Sequence, residues 1–517
     1  MDDHKKYLKS NPNVITPSLK HSSTPFVPLT LVENKVETQL STTEPATLRL
    51  KQKVKQNEEP EIDQGKLQEE REKRCKECQQ FKFDKPHVNI MFIGHVDAGK
   101  STISGNILYL TGMVDERTIE KFKREAIQKN RDSWWLAYIM DSWDEEKEKG
   151  KTVEVGRAFF QTDSNRYTLL DAPGHQDYVQ NMIIAAAQAD AGILVISARQ
   201  GEFERGFDRG GQTREHALIT KTLNVGRLLV VINKMDEQTV NWSEERFEKI
   251  KNVLGKYLKK LGFKNVQFIP ISGLTGENIL KPSQDPKSSW YSGPTLLQAL
   301  DDVEVLERDS TAIVRIPVID RYKHQGKFVV MGKIYGGVLK EGDELVISPT
   351  KELLQIVSIE CDFSENPIKA AFPGENVYLS VKGIDMNNIN PGYILSDPQL
   401  PAPVVKIFRG AVIITNGREN NPIFTTKSTA VMHIHTLTVD VIFKKIICVL
   451  DKEGKPKRKN GKIEKVSFVQ KGDHALIDFE VEQRISCDAF KNDRHFSTFT
   501  LRGDSLTLGI GKITKIL

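Results

Sequence analysis

The sequence contains one stretch that decides the fold of its first domain, Gly94-His95-Val96-Asp97-Ala98-Gly99-Lys100-Ser101-Thr102. This stretch follows an apolar run at 88–93 and opens a helical pattern, which is the strand, loop and helix context of a phosphate-binding loop. Two glycines let the backbone N–H groups face one centre, where they and Lys100 are expected to hold the β- and γ-phosphates of a nucleotide. Ser101 is the expected Mg²⁺ ligand, and all nine residues are candidates for nucleotide contact.

Length and charge limit the possible classes of protein. A chain of 517 residues predicts about three or four units at roughly 150 residues per domain. Its 74 Lys and Arg residues nearly balance 69 Asp and Glu residues, so the surface as a whole does not attract nucleic acid and any RNA contact must be local. No apolar run reaches the roughly 18 residues that span a bilayer, and the N-terminus lacks a signal peptide's apolar core. We therefore expect a cytoplasmic protein without a membrane partner.

The five cysteines do not form a disulfide framework in so long a chain, and reduced thiols are expected. Cys75 and Cys78 form a CxxC pair, but they lie in a charged run with no second ligand pair nearby. The pair therefore predicts no metal site.

Residues 86–304 alternate short apolar runs with amphipathic stretches, which predicts an α/β domain with a parallel sheet. The predicted strands cover residues 87–93, 155–160, 167–171, 191–197, 227–233 and 266–272. Open α/β sheets bind ligands at the carboxyl ends of their strands, so polar motifs that follow these strands are expected to form one pocket.

Three such motifs follow predicted strands. In Asp171-Ala172-Pro173-Gly174-His175, the Asp171 carboxylate can hold Mg²⁺ through water, and the Gly174 N–H can approach the γ-phosphate because no side chain blocks it. In Asn233-Lys234-Met235-Asp236, the Asp236 carboxylate can accept from the N1–H and 2-amino groups of guanine, which adenine does not offer. Ser272-Gly273-Leu274 fits a backbone contact to guanine O6.

The remaining sequence predicts two β-barrels and an N-terminal extension. After about residue 304 the pattern changes to short alternating strands with turns, which indicates a barrel at 305–403 and, beyond the linker Leu400-Pro401-Ala402-Pro403, a second at 404–517. Residues 1–85 are polar and poor in aromatic side chains, and they are predicted to be a disordered extension. Within it, alternating charges at 61–82 suit a solvated helix.

Together, the motifs resemble those of a translational GTPase of the elongation-factor superfamily over about residues 86–517. Within that superfamily, the segment GKTVEVGRAFF at 150–160 most closely resembles the eukaryotic class II release factor. The resemblance implies an α/β P-loop GTPase domain followed by two β-barrel domains, with GTP or GDP and Mg²⁺ as ligands. It also implies ribosome-stimulated hydrolysis, and a stop-codon-reading release factor as the partner that docks on the last barrel.

The resemblance also assigns roles to individual residues. Thr152 matches the switch I threonine that coordinates Mg²⁺, and His175 matches the switch II histidine that orients the attacking water. Val96 matches one wing of the apolar gate that holds this histidine back. Lys151 stands where the other wing is normally apolar, so the gate is expected to be incomplete. Lys100 and His175 are the expected catalytic residues, with Val96 controlling access.

Three other functions stay open: a GTPase that rescues stalled ribosomes, an elongation factor that delivers aminoacyl-tRNA, and a non-catalytic scaffold supported by nucleotide. The scaffold is disfavoured because the residues needed for hydrolysis are all retained.

Three segments lie outside the motifs. Leu19, Phe26 and Pro28 match the spacing of a linear motif that binds poly(A)-binding protein, although Lys20 and Ser23 depart from it, and chance similarity is the alternative. Two tryptophans, at 134 and 135, lie in a long charged insertion; adjacent helical residues cannot face one core, so the choice is between packing and a contact surface. The basic loop at 452–462 fits either ribosomal RNA phosphates or solvent.

Overall fold

The computed structural model describes residues 64–140, 155–208, 211–223, 225–304, 308–324, 326–417, 423–451, 453–459, 462–464, 466–503 and 506–517. The predicted motif of Leu19, Phe26 and Pro28 lies outside the described residues, as do Lys151 and Thr152. Among the helices that are described, none has the length and apolar character needed to cross a membrane.

The first domain is built on a six-stranded sheet with the strand order β2-β3-β1-β4-β5-β6. Its strands are β1 (His87–Gly94), β2 (Gly156–Gln161), β3 (Arg166–Asp171), β4 (Ala191–Ser197), β5 (Arg227–Asn233) and β6 (Gln267–Pro270). Five strands run parallel as predicted, whereas β2 pairs antiparallel with β3. The short connection at 162–165 accounts for the difference, because a parallel pair requires a long crossover and an antiparallel pair does not.

Helices cover both faces of this sheet, and one further helix precedes it. They are α1 (Gln64–Cys78), α2 (Lys100–Leu110), α3 (Glu116–Gln128), α4 (Val179–Gln188), α5 (Glu202–Phe207), α6 (Gln212–Thr222), α7 (Glu244–Lys260) and α8 (Leu296–Asp301). Short 3₁₀ turns lie at Gln79–Phe81, Asp132–Trp135, Ala137–Ile139, Gln176–Tyr178, Pro286–Ser288 and Met386–Asn388. Local capping fixes where helices begin: the Asp115 carboxylate accepts from the Thr118 N–H, and the Ser243 hydroxyl accepts from the Arg246 N–H.

The core of the first domain lies on both sides of the sheet. All residues of β1 and β4 are buried, which is why these strands are nearly continuous apolar runs. Alternate side chains feed two separate clusters: Met91 and Ile93 pack with α4, α6 and α7, whereas Ile90 and Phe92 pack with α2 and α8. The sheet thereby holds the carboxyl ends of its central strands in fixed positions.

Both predicted barrels are confirmed, and each has six strands in a closed ring. The first contains β7 (Arg315–His324), β8 (Lys327–Lys333), β10 (Glu344–Ser348), β11 (Glu352–Cys361), β13 (Asn376–Lys382) and β14 (Ile394–Ser396), with β9 (Leu339–Lys340) and β12 (Ala370–Ala371) paired beside it. The second contains β15 (Val404–Ile414), β17 (Thr429–Ile434), β18 (Leu437–Leu450), β22 (His474–Ser486), β23 (Thr498–Arg502) and β24 (Thr507–Ile516). Its outlying strands are β16 (Ile423–Thr425), β19 (Arg458–Lys459), β20 (Lys462–Ile463) and β21 (Phe468–Gln470). The basic loop contains the two-stranded ribbon of β19 and β20.

Residues 64–85 correct the prediction of a disordered extension, since α1 packs on the first barrel. Cys78 is fully buried in a cluster with Val338, Ala370 and Phe372. The Arg74 guanidinium also pairs with the Asp343 carboxylate. Cys75 packs against the same cluster, and the charged composition of the segment gave no indication of this contact. All five cysteines are free thiols, as predicted, and the described residues contain no cluster of three or more metal-ligating side chains.

Buried polar contacts fix the first domain to both barrels. Asp190, at the start of β4, pairs with Arg308 at 2.7 Å and with Lys333 at 2.9 Å. Burial alone would raise the pKa of Asp190, but the two cations outweigh it and hold the pKa well below its ordinary value. On α6, the Glu215 carboxylate accepts from Arg502 of the last barrel at 2.6 Å and from the Thr507 hydroxyl at 3.0 Å.

Replacing Asp190 with alanine is expected to destabilise the junction between the first two domains, because it leaves the buried Lys333 and the partly buried Arg308 without their shared carboxylate. Loss of one partner from a buried pair costs about 3–5 kcal/mol, which corresponds to a drop of several degrees in the midpoint of thermal unfolding. The control is Glu341→Ala, which removes an exposed pair with Lys369 and is expected to shift the midpoint by less than about 2 °C. Equal midpoints for the two variants would contradict the structural role of Asp190.

Candidate functional site

The phosphate-binding loop joins β1 to α2 and wraps around the ammonium group of Lys100. Gly94 and Gly99 have φ values of +145° and +98°, which side chains rarely adopt. Lys100 is buried, and its Nζ donates to the carbonyl oxygens of Gly94 at 3.2 Å and His95 at 3.1 Å. Burial lowers the pKa of Lys100, whereas the negative charges of Asp171 and Asp97 raise it. The loop therefore presents a cation, backbone donors and the N-terminus of α2 to one centre.

Asn233, the last residue of β5, ties two of the predicted motifs together. Its amide Nδ2 donates to the carbonyl oxygen of Ala98 at 2.9 Å, and its Oδ1 accepts from the Gly273 N–H at 2.7 Å. Asn106 on α2 adds a second link, because its Nδ2 donates to the Gly273 carbonyl oxygen at 2.8 Å. The loops after β1, β5 and β6 are therefore one hydrogen-bonded unit.

Oxygen donors suited to Mg²⁺ lie beside this unit. Ser101 lines the cavity, and Asp171, fully buried at the end of β3, lies near enough to influence the pKa of Lys100. A hydroxyl and a carboxylate are ligands that Mg²⁺ prefers, so the residues fit the predicted ion. The third predicted ligand, Thr152, lies outside the described residues. Gly174 lies against Lys100, and a Cβ added to it would collide with the lysine Nζ.

A cavity of about 540 Å³ opens at the carboxyl edge of the sheet. The predicted residues that line it are Val96, Asp97, Gly99, Lys100, Ser101, Thr102, Gly174, His175, Asn233, Lys234, Asp236 and Leu274. The other predicted residues of the described chain do not line this cavity, namely Gly94, His95, Ala98, Asp171, Ser272 and Gly273. Their contribution is support: Ser272, for example, is fully buried, and its hydroxyl accepts from the Thr275 N–H.

Six lining residues were missed by the sequence analysis: Ser133, Trp134, Ala137, Arg199, Glu202 and Glu237. Glu202 accepts from Lys234 Nζ at 2.8 Å, from the Ser197 hydroxyl at 2.6 Å and from Arg199 at 3.1 Å. Burial raises the pKa of Glu202, but its bonds to Lys234 and Ser197 outweigh burial and lower it. Because Arg199 and Glu202 follow β4, the same strand-end rule that located the other motifs applied to them.

His175 and Val96 both line the cavity, as expected for a catalytic group and its gate. The His175 side chain is 30% exposed, and its Nδ1 lies 3.2 Å from the Asp177 carboxylate. A partly exposed imidazole retains freedom to turn. His175 is therefore placed at the rim of the cavity and is not locked into its core.

His216 on α6 supports the phosphate-binding loop from behind. The Gly94 N–H donates to Nδ1 of His216 at 3.1 Å, so the imidazole must be neutral to accept this bond. His216 is fully buried, and burial, followed by the positive charge of Lys100, lowers its pKa to about 3. The loop thus receives a fixed acceptor over the whole physiological pH range.

Family models match three parts of the chain. The model described as "Elongation factor Tu GTP binding domain" matches residues 85–305, "Elongation factor Tu domain 2" matches 327–396, and "GTP-eEF1A C-terminal domain-like" matches 408–514. The first range contains the whole sheet, and the other two cover most of each barrel, with β7 of the first barrel outside them.

Curated relatives carry one common description, "Eukaryotic peptide chain release factor GTP-binding subunit". The protein of this description from Candida maltosa is 44% identical over 436 residues, which cover 84% of this chain and 60% of the relative. That from Schizosaccharomyces pombe is 43% identical over 439 residues, which cover 84% of this chain and 65% of the relative. The chain thus spans less than two thirds of the length of these relatives.

A solved structure of the Saccharomyces cerevisiae Ski7 GTPase-like domain, bound to GTP, has a similar fold. It superposes with a TM-score of 0.67 at 18% identity, over 83% of this chain and 97% of that domain. At this identity the likeness concerns the fold alone.

Replacing His216 with glutamine is expected to reduce the acid sensitivity of the protein. The unfolded chain protonates this histidine near pH 6.5, whereas the folded chain keeps it neutral to about pH 3, so its contribution to stability falls as the pH decreases through this window. The midpoint of thermal unfolding, measured between pH 4.5 and 7, should therefore fall less steeply in His216→Gln than in the wild type. His474→Gln, a partly buried position at the start of β22, is the control. Parallel curves for His216→Gln and the wild type would disprove this linkage.

Proposed function

We propose that the chain belongs to the family of GTP-binding subunits of eukaryotic peptide chain release factors and that it is a GTP-hydrolysing switch in translation termination. The observation that carries the proposal is the identity of 43–44% with relatives of that description over 84% of the chain. The cavity supports it, because the four motif loops meet at one edge of the sheet.

In the proposed reaction, the chain positions a nucleotide and stabilises charge. Lys100 and the backbone N–H groups of its loop would hold the β- and γ-phosphates, and Ser101, Asp171 and Thr152 would hold Mg²⁺. When bound, Mg²⁺ neutralises phosphate charge. His175 at the cavity rim orients the attacking water after the ribosome has turned it past Val96. The chain forms no covalent intermediate, so positioning and electrostatic stabilisation supply the catalysis.

The proposed partners are a stop-codon-reading release factor, bound by the last barrel, and the cytoplasmic ribosome. The GTP form binds the release factor, and hydrolysis releases it as the γ-phosphate contacts disappear. The basic loop at 452–462 is proposed to contact ribosomal RNA, since its lysines and arginine suit phosphate groups. Leu19, Phe26 and Pro28 are proposed as a contact for poly(A)-binding protein, because an isolated aromatic residue can anchor a short motif.

Hydrolysis of GTP on purified ribosomes tests the proposed function. Three programmed complexes are compared: a stop codon with the stop-reading factor, an empty A site with the rescue factor, and a sense codon with aminoacyl-tRNA. Stimulation by the first complex alone supports termination. Stimulation by the second would move the chain to ribosome rescue, and stimulation by the third would move it to tRNA delivery. If none of the three complexes stimulated single-turnover cleavage of GTP, the result would favour a non-catalytic scaffold.

Replacing His175 with alanine is expected to abolish ribosome-stimulated turnover and leave nucleotide affinity within about twofold of the wild type, because His175 contributes only to the transition state. Losses from removing one positioned group are typically about 100-fold or more. Titration with a fluorescent GDP and single-turnover GTP cleavage measure the two quantities. Unchanged turnover would rule out the assigned role of His175.

Replacing Asp236 with asparagine is expected to exchange specificity from guanine to xanthine. The carboxylate accepts from two guanine donors, whereas an amide can donate to the 2-oxo group of xanthine. GDP affinity should fall by about 100-fold and XDP affinity should rise, since each lost charged hydrogen bond costs about 1.5–3 kcal/mol. Competition of GDP and XDP against a fluorescent nucleotide measures both changes. Equal losses for the two nucleotides would point to damage of the loop instead.

A further inference from the structure

The two adjacent tryptophans of the charged insertion point to different surroundings. Trp134 lines the nucleotide cavity together with Ser133 and Ala137. Trp135 instead packs edge-on against Tyr109 of α2, with ring centroids 5.4 Å apart, and Lys123 lies over its ring at 4.6 Å. Both rings also pack against the cluster of Phe122, Ala126 and Tyr138, but of the two only Trp134 lines the cavity.

Close packing on α2 holds Trp134 at the cavity. Gly105 permits this approach, because a Cβ at this position would collide with the carbonyl oxygen of Leu136. Leu136 is buried, and the neighbouring Tyr138 is buried in a cluster with Phe122 and Ala126 of α3. The residues that follow Trp134 are therefore anchored to two helices, α2, which follows the phosphate-binding loop, and α3.

The charge beside Trp134 suits a nucleotide. The Arg131 guanidinium lies over the Trp134 ring, 4.2 Å from its centroid, so one surface of the ring is supported by a cation. Thr102, one turn before Gly105 on α2, lines the same cavity. In a phosphate-binding loop, the residues at the start of the helix face the α- and β-phosphates. Trp134 and the first turn of α2 therefore line one cavity.

We propose that Trp134 is a nucleotide-contact residue that covers the sugar and α-phosphate of the bound nucleotide and slows its dissociation. The contact involves groups that GDP and GTP share, so it holds the insertion on the nucleotide in both states. Nucleotide release then requires the insertion to withdraw Trp134. This inference rests on the proposed binding of guanine nucleotides and adds a residue that no sequence motif identifies.

Dissociation rates of fluorescent mant-GDP and of a mant-labelled non-hydrolysable GTP analogue test the proposal in the full chain. Trp134→Ala should accelerate dissociation of both nucleotides by about tenfold, since truncating a buried aromatic contact typically costs more than 1 kcal/mol. Trp134→Phe should restore most of the slow rate, because it returns an aromatic ring. The matched control, Trp135→Phe, keeps an aromatic ring against Tyr109 and should change the rates by less than about twofold.

A second pair of variants tests the anchor without changing any cavity residue. Gly105→Ala should push the segment at 136 away from α2 and accelerate dissociation as Trp134→Ala does. Gly255→Ala is the matched control. Gly255 lies on α7, and its added Cβ would meet only Phe268 of β6, at an ordinary contact distance of 3.7 Å.

Protection of tryptophan fluorescence from acrylamide adds a contact readout that altered folding would not mimic. Bound nucleotide should protect fluorescence in Trp135→Phe and give less protection in Trp134→Phe. Equal acceleration by Trp134→Ala and Trp135→Phe would overturn the proposal, as would an effect on the GTP analogue alone, which would place the contact at the γ-phosphate. A wild-type chain that bound neither nucleotide would overturn the proposed function and this inference with it. If the wild-type chain bound both nucleotides and Trp134→Ala released them at the wild-type rates, the inference alone would be overturned.

Discussion

The side-chain amide of Asn233 is the contact on which the nucleotide cavity depends. Its donor holds the carbonyl oxygen of Ala98 and its acceptor holds the Gly273 N–H, so one residue sets the distance between two loops that are 175 positions apart in the sequence. Gly99 and Gly273 lie against the same amide, and a Cβ on either glycine would meet it. The glycines of these motifs thus leave room for the Asn233 amide that joins the loops, as well as for the ligand.

Most of the first domain was predictable because its central strands are buried on both faces and end in polar motifs. For β4 and β5 the predicted and observed bounds agree. The direction of β2 was wrong although the predicted strands at 155–160 and 167–171 already left a connection too short for a parallel crossover. The docking of α1 was missed for another reason: it depends on Cys78 reaching an apolar patch on a distant barrel, and a charged sequence carries no sign of its partner.

The candidate site shows the same division between local and long-range information. Motif residues were found because each carries its chemistry in its own neighbourhood. Trp134 was not assigned to the cavity, because its position depends on Gly105, on a different helix, and that approach leaves no pattern in the sequence. Glu202 was accessible to reasoning, since it follows β4 at the same edge of the sheet as the other motifs, but it was not assigned to the site.

Helix α6 connects the phosphate-binding loop to the last barrel through two consecutive residues. His216 holds the Gly94 N–H, and Glu215 holds Arg502 and Thr507. Neighbouring residues on a helix project about 100° apart from one rigid backbone, so neither can shift without carrying the other. Helix α6 is thus held at one contact by the last barrel and at the other by the phosphate-binding loop. A rotation of the barrel would turn the helix and move Gly94, the first glycine of the loop. A displacement of the last barrel would therefore reach the nucleotide cavity through α6 itself.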